Sequence, residues 1–252
     1  MSLVLAAAAF LTAAAQICNP PYGKFGHYYW VDRQSALDGI AEHCITVNGS
    51  IIITHNYTGS FYLPNIRNIT GVLRWDIYSF DTAPTLPSVE LPDLEHMGDD
   101  LMLSGIPTLR NVSMPKLKTV RSDISIDYIH GADFRSLEKA KSIELKGNMS
   151  SLRLDSLRTV SRFLRICNID ECDPDVSPDS PLDISLPSLQ SVGSLKIKGR
   201  ISSLEVPSLM TVAGYELFMS DPDSLEFSTG GGPTVNLTFP RLSFIRESEN
   251  AS

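Results

Sequence analysis

Basic runs, zinc or redox cysteine motifs and catalytic signatures are all missing from this sequence of 252 residues. The net charge is −8, and no Lys/Arg run could neutralise several phosphates, which argues against nucleic acid as a partner. None of the four cysteines forms a CxxC pair of the zinc or redox kind. The G-x-S-x-G nucleophile motif is absent, and the triple glycine 230–232 lacks the Lys-Ser/Thr of a phosphate loop. The five histidines show no metal-ligand spacing.

Long hydrophobic runs are scarce as well. The run from Leu3 to Leu11 is too short to span a membrane, which takes roughly 20 apolar residues. It is followed by the small residues 13–15 that signal peptidase needs, although no Lys or Arg precedes it. We therefore predict a cleaved signal peptide over residues 1–15. The alternative is a disordered Ala-rich leader.

Glycosylation motifs agree with secretion. Seven of the ten asparagines lie in N-x-S/T sequons, where chance would give about two. The predicted N-glycosylation sites are Asn48, Asn56, Asn68, Asn111, Asn148, Asn236 and Asn250.

The cysteines point to the same compartment. Cys18 and Cys44 bracket the first segment, and Cys167 and Cys172 bracket a short acidic loop. Of the three possible connectivities, the simplest pairs Cys18 with Cys44 and Cys167 with Cys172. Such spacing favours structural disulfides formed in an oxidising environment.

A repeat runs through most of the chain. Segments such as 183–192 and 203–212 share one pattern and can be aligned on a central aliphatic residue. The aligned positions are Ile66, Leu94, Leu117, Leu137, Leu157, Leu189, Leu209 and Leu242. The short intervals are 20 to 23 residues, and the longer ones contain insertions at 82–87, 167–181 and 229–234. Repetition of this length indicates units stacked along an axis.

Each unit has the same internal order. An alternating pair such as Leu152 and Leu154 predicts a short strand, and a breaker, most often proline, ends it. The central Leu and a hydrophobic residue three positions later turn inward, and a second alternating pair such as Ile124 and Ile126 follows. The helical period is nearly absent, so we predict eight rungs of parallel strands about 4.8 Å apart, with polar side chains outward.

The segment before these units differs. Residues 31–44 place Leu37, Ile40, Ala41 and Cys44 on one helical face, with a Ser35–Asp38 capping box or Asp32 as the N-cap. We predict an N-terminal cap over residues 16–44, whose short helix covers the open end and is pinned by Cys18–Cys44. Repeats fill residues 45–252, and we expect their C-terminal end to be incomplete.

The segments 36–54 and 63–73, followed by LPSLQSVGSLKI-type units, resemble the fungal GPI-anchored cell-wall organisation and sporulation-specific (extracellular-mutant type) glycoproteins. The resemblance covers roughly residues 18 to 245. It implies an all-β, right-handed parallel β-solenoid that is receptor-L-domain-like and leucine-rich-repeat-like. It also implies a non-enzymatic protein without a cofactor or metal, secreted to the cell wall or outer cell surface.

The resemblance implies a role in wall organisation and integrity, with cell-wall polysaccharide or wall and surface proteins as partners. We expect contact with the plasma membrane only through a GPI anchor, which we expect this chain to lack. A second hypothesis is a ligand- or glycan-binding ectodomain that uses one solenoid face. The face without sequons would then be the binding surface.

A third hypothesis is a polysaccharide-active β-helix enzyme, which would need clustered carboxylates. Asp99-Asp100, His130-Gly131 and Lys196-Ile197-Lys198 superficially echo polygalacturonase motifs, but Asp99-Asp100 occupies the same slot as Ser122-Asp123 in another unit.

Three further groups of acidic or aromatic residues are candidates for ligand binding. The acidic residues around Cys172 (Asp170, Glu171, Asp173 and Asp175) do not have EF-hand spacing, and we expect a solvated loop there rather than a calcium site. The aromatic cluster is Tyr22, Phe25, Tyr28, Tyr29 and Trp30, which suits packing over the solenoid end better than stacking on sugars. Trp75 and Tyr78 are expected to face outward.

Overall fold

The computed structural model describes residues 16–23, 26–77, 82–169, 181–213, 225–228, 237 and 239–245. Within these residues the secondary structure is one helix, α1 (Gln34–His43), and short strands, numbered β1 to β25 in chain order. Nearly all strand pairs are parallel; the antiparallel one joins β2 (Tyr22–Gly23) to β3 (Gly26–Val31). The predicted all-β class with parallel sheets is confirmed.

Successive strands pair in three parallel ladders. The first ladder contains β1 (Ile17–Cys18), β4 (Thr46–Val47), β7 (Asn68–Ile69), β10 (His96–Met97), β13 (Thr119–Val120), β16 (Lys139–Ala140), the starts of β19 (Thr159–Asn168) and β21 (Ser191–Gly199), β23 (Thr211–Val212) and β25 (Phe244–Ile245). The second ladder contains β3, β5 (Ser50–Ile53), β8 (Leu73–Trp75), β11 (Leu101–Leu103), β14 (Asp123–Ile126), β17 (Ser142–Lys146), the later parts of β19 and β21, and β24 (Leu225–Ser228).

The third ladder contains β6 (Phe61–Tyr62), β9 (Ser88–Glu90), β12 (Asn111–Ser113), β15 (Gly131–Asp133) and β18 (Ser151–Arg153). The parallel pair β20 (Leu182–Ser185) and β22 (Ile201–Glu205) follows, with β20 against β18. From β4 to β23 the chain visits the ladders in a fixed order, first, second and third, and α1 takes the third position after β1 and β3.

A chain of backbone hydrogen bonds confirms the repeat alignment. The amide that follows each central residue donates to the carbonyl of the equivalent residue one unit earlier. The bonds run from Ser243 to Met210, Gln190, Arg158, Glu138, Lys118, Glu95, Arg67 and Ile45. The amide of Ile45 donates in turn to Gln16 at 3.0 Å. The stacking therefore begins two strands earlier than the aliphatic spacing predicts: Cys44 holds the central position before β4, and β1 lies one rung further out.

Inward side chains of all three ladders form one hydrophobic core. Seven of the eight central residues are fully buried, from Ile66 to Leu209, while Leu242 is partly buried. Each short unit exposes an aliphatic stripe that only the next unit can cover, and burial of one such side chain is worth about 1.5–3 kcal/mol. Stacking therefore stabilises the units jointly.

The corner between the first and second ladders requires close backbone approach in some repeats. A Cβ added to Gly98 would lie 2.3 Å from the carbonyl oxygen of Thr70, and one added to Gly193 would lie 2.0 Å from that of Arg162. Real Cβ atoms do not approach so closely, so these corners are compatible only with glycine.

The predicted helix is confirmed, and Leu37, Ile40 and Ala41 are its buried residues. The predicted N-cap is wrong. The helix starts after Arg33, whose side chain makes no capping hydrogen bond, and Asp32 instead binds the Arg33 guanidinium. Arg33 therefore holds Asp32 away from the helix N-terminus.

The outward orientation predicted for Trp75 is wrong. Its side chain is 8% exposed, and the indole N–H donates to the carbonyl of Ser104 at 2.6 Å. Trp75 follows Leu73 at the strand period of two, so it faces the core. Tyr78 lies outside the described residues.

Candidate binding surfaces

The described sequons lie at the surface. Asn48, Asn56 and Asn111 are exposed, whereas Asn68 and Asn148 are partly exposed. Asn236 and Asn250 lie outside the described residues. Asn48 directly follows β4, Asn68 starts β7 and Asn111 starts β12. Asn56 lies in the turn after β5, and Asn148 lies in the turn after β17. They therefore belong to the first ladder, the third ladder and the turns.

Two of these sequons touch each other. The hydroxyl of Thr70, which completes the sequon of Asn68, lies 3.2 Å from Oδ1 of Asn48 and donates to it. The side-chain amide of Asn68 donates to Oγ1 of Thr46 at 3.2 Å. Glycans on Asn48 and Asn68 would consequently stand side by side at the N-terminal end of the first ladder.

The Cys18–Cys44 disulfide is present, with the two Cα atoms 5.6 Å apart. It joins β1 to the residue that follows α1, and so fixes the helix to the first ladder. Cys167 is fully buried and disulfide-bonded. Its predicted partner, Cys172, lies outside the described residues.

The outer face of the second ladder carries no sequon within the described strands. Register places Glu144, Arg165, Lys196 and Glu226 in one row across four neighbouring strands. The guanidinium of Arg165 binds Glu144 at 2.6 Å, and Lys196 lies 3.6 Å from Glu226. This row leaves the face polar and free of predicted glycans.

Nearby lysines favour the ionised form of Glu226 in this row. Lys198 lies 3.1 Å from Glu226 on the same face. A hydrogen bond from Lys198 is the main cause that lowers the pKa of Glu226, with smaller contributions from the charges of Lys198 and Lys196. Partly exposed ion pairs of this kind contribute about 0–1 kcal/mol each to the stability of the fold. They therefore matter more for the pattern of charge on this face than for stability.

Aromatic side chains mark the N-terminal edge of this face. Tyr28 and Trp30 project from the same side of β3, with ring centroids 5.3 Å apart in an edge-to-face arrangement. Trp30 is 49% exposed, while Tyr29, on the other side of the strand, packs against the core. Tyr22 is 79% exposed and meets His27 edge to face. Phe25 lies outside the described residues.

A groove of about 940 Å³ crosses the outer face of the first ladder, from β4 to β19. Hydroxyl-bearing residues and three cations line much of it, and they include Thr46, Thr119, Thr159, Arg121, Lys139 and Lys141. The imidazole Nδ1 of His96 lies 2.8 Å from the hydroxyl of Thr119. Sequence reasoning missed this groove because its residues are adjacent only through the strand register.

The motifs considered for catalysis do not converge. Asp99 and Asp100 precede β11, His130 precedes β15 in the third ladder, and Lys196 lies in β21. Three strands, β14, β17 and β19, separate β11 from β21, which at about 4.8 Å per strand places the two ends roughly 19 Å apart. Register confirms that Asp99-Asp100 and Ser122-Asp123 share one slot, and the Asp123 amide donates to Asp100 at 3.0 Å.

No group of three or more potential metal-ligating His, Cys, Asp or Glu residues occurs in the part of the chain that the structure describes. The acidic loop from Asp170 to Asp175 lies outside it. The described residues also include no helix with the length and hydrophobicity needed to cross a bilayer.

Comparisons of the chain with protein-family models, with characterised proteins and with solved structures find no match.

Proposed function

We propose that this chain is a non-enzymatic, secreted or cell-surface glycoprotein that contributes to the organisation and integrity of a fungal cell wall. In this proposal the three ladders form a right-handed, receptor-L-domain-like β-solenoid. The unit-by-unit hydrogen bonds after the central residues support stacking of this kind. The disulfide between Cys18 and Cys44 fits an oxidising compartment.

The observation that carries the proposal is the placement of the sequons. All five described sequon asparagines are wholly or partly exposed, although the same repeats bury dozens of side chains. Glycans there would stand at the N-terminal end of the first ladder, on β12 of the third ladder and in two turns, while leaving the hydrophobic core intact. A glycan-coated rod suits a structural element of a polysaccharide matrix.

Peptide mass mapping of the protein from its native host, with and without N-glycosidase, tests the secretory part. We expect occupied sequons and an N-terminus near Gln16. Unmodified asparagines together with an intact leader would overturn it. For the role in the wall, we expect a gene-deletion strain to become hypersensitive to a chitin-binding dye. A deletion strain with normal sensitivity would contradict that role.

A second candidate function is a ligand- or glycan-binding ectodomain, which the sequon-free face of the second ladder favours. A new glycan on that face would block binding. Glu144→Asn with Lys146→Thr creates a sequon there. Asp133→Asn with Arg135→Thr creates a comparable sequon on the third ladder. The first pair of substitutions removes the two ion pairs of Glu144, with Lys146 and Arg165, and the second pair removes the one between Asp133 and Arg135.

Complementation of the deletion strain distinguishes the two functions. If the second ladder binds a partner, the glycan at position 144 abolishes rescue and the glycan at position 133 does not. If both variants rescue fully, the face has no essential partner and the purely structural function stands. Mass mapping of each variant verifies that the new site is occupied.

A further inference from the structure

The groove on the first ladder differs in charge from the rest of the molecule. We propose that it binds an acidic polysaccharide, whose carboxylates contact Arg121, Lys139 and Lys141. The proposal specifies a partner class for the surface role proposed above and rests on it.

The first observation that supports this proposal is the positive charge of the groove. Arg121, Lys139 and Lys141 lie on the neighbouring strands β13 and β16 or directly follow them, and Thr119 pairs with Lys139 in register. All three cations are exposed, and none forms an ion pair with a described residue. No acidic residue occurs among the described residues that line the groove. An unneutralised cationic cluster in a chain of net charge −8 is complementary to an anion.

The chemistry of the lining selects the kind of anion. Thr46, Thr119, Thr159 and Ser161 present hydroxyl groups along the groove, beside the cations. Hydroxyl groups both donate and accept hydrogen bonds, which suits a chain of sugar hydroxyls. The strands beneath already use their backbone groups in the parallel ladder, so an acidic peptide cannot add as a further strand on this face. Recognition depends on side chains, as in polysaccharide binding.

The sequon at Asn68 supplies an internal competitor. Asn68 and Thr70 both line the N-terminal end of the groove. A glycan on Asn68 would therefore occupy part of the path that a polysaccharide takes. We expect the protein to bind more weakly when Asn68 is glycosylated than when the site is removed by Asn68→Gln.

The test measures binding of polygalacturonate to the secreted chain carrying Asn68→Gln by isothermal titration calorimetry. Neutral mannan and polyglutamate of matched length serve as comparison ligands. Arg121→Gln, Lys139→Gln and Lys141→Gln together should weaken binding of polygalacturonate about tenfold, because three exposed ionic contacts are lost. Added salt should also weaken the binding of polygalacturonate to the unsubstituted groove, because it screens the ionic contacts.

A matched triple variant controls for net charge. Lys116→Gln, Lys118→Gln and Arg158→Gln remove the same three charges outside the groove lining, and we expect less than about a twofold change. Thermal unfolding of both variants establishes that they fold.

Four results would overturn the proposal: equal weakening in both triple variants, equal binding of mannan, equal binding of polyglutamate, or equal affinity with an occupied Asn68. Sedimentation velocity adds a fifth, since self-association through the groove would identify a second copy as its occupant. None of these outcomes bears on secretion or on wall sensitivity, which the mass mapping and the deletion strain measure independently.

Discussion

Helix α1 and strand β9 lie on opposite sides of β6, and they cover it by different means. Strand β9 pairs with β6 through the parallel ladder, Phe61 with Val89 and Tyr62 with Glu90. On the other side, the single side chain of Gln34 performs the same task. Its Nε2 donates to the carbonyl of Tyr62 at 2.6 Å, and its Oε1 accepts from the amide of Tyr62 at 3.1 Å.

The difference separates two requirements of a stacked protein. An interior unit needs only the same aliphatic side chains as its neighbours, because identical backbones satisfy each other's hydrogen bonds. A terminal unit exposes an edge whose backbone groups have no next strand, and such edges pair with other chains. Here the edge is closed by a polar side chain, by Tyr57, whose hydroxyl donates to Gln34 at 3.0 Å, and by the disulfide. Burial, with a smaller effect from the Asp38 charge, raises the pKa of Tyr57 to about 12.

Substitution in the interior should have the largest effect. Leu137→Ala removes a fully buried central residue between two other buried central residues, Leu117 and Leu157. We expect the free energy of unfolding to fall by about 3–5 kcal/mol, because a cavity forms in a core that both neighbouring units share. Urea denaturation monitored by circular dichroism measures the change.

Leu137→Met is the control, since it preserves volume and should cost less than about 1.5 kcal/mol. Hydrogen exchange should accelerate in the units on both sides of Leu137. A loss confined to one unit would contradict the shared-core account.

The disulfide should come next. Cys18→Ala with Cys44→Ala removes the link while leaving small apolar side chains. The bond closes a sequence separation of 26 residues, for which chain-entropy arguments give about 3.5 kcal/mol. We expect a lower urea midpoint, and faster exchange at β1 and β4 than at β13. Equal protection of β1 in both proteins would show that the helix holds this edge without the bond.

Gln34→Ala should have an intermediate effect. It leaves the amide and the carbonyl of Tyr62 without their partner, but both bonds are exposed, so water can replace the side chain. We expect a cost of about 1 kcal/mol, with accelerated exchange of the Tyr62 amide. Exposed Ser35 is the matched control, since Ser35→Ala should change stability by less than about 0.5 kcal/mol. A larger loss of stability for Ser35→Ala than for Gln34→Ala would contradict the structure and support the Ser35–Asp38 capping box.

The interior of the fold was predictable from the sequence, and its edge was not. Spacing of Leu94, Leu117 and Leu137 fixes which residues stack, because each must cover the next, and the backbone bonds agree. The helix was predictable from its apolar face. Gln34 and Arg33 escaped prediction because the first acts on a strand 28 positions away and the second competes locally for Asp32.

The candidate surfaces were only partly predictable from the sequence. The sequons could be read directly, but whether a face lacks them depends on the assignment of strands to ladders. Arg121 and Lys139 lie 18 positions apart, and only the pairing of β13 with β16 brings them to one groove. The sequence did not reveal that Cys44 occupies the central position of its unit, because cysteine does not match a repeat of aliphatic residues.

The smallest expected effect concerns the link between the interior and the edge. Asp93 accepts from Nζ of Lys116 at 2.8 Å, and also from the amide of Asn65, whose side chain in turn donates to the carbonyl of Ala41 in α1. The hydrogen bond from Lys116 is the main cause that lowers the pKa of Asp93 from 3.8, followed by the Asn65 amide.

A carboxyl whose folded pKa lies below its unfolded value stabilises the protein above the unfolded value, and this contribution is lost as pH falls through the folded pKa. Lys116→Gln should therefore cost about 0.5 kcal/mol at pH 7, since Lys116 is 61% exposed and solvent screens the pair. The difference from the unsubstituted protein should shrink as the pH of the urea titration drops below 3.8 and Asp93 becomes protonated. Asp93→Asn should cost more than Lys116→Gln, because it also weakens the bond to Asn65 that ties the second unit to α1. If the two variants lost equal stability at every pH, the ion pair alone would explain Asp93, and the edge would depend on Gln34 and the disulfide.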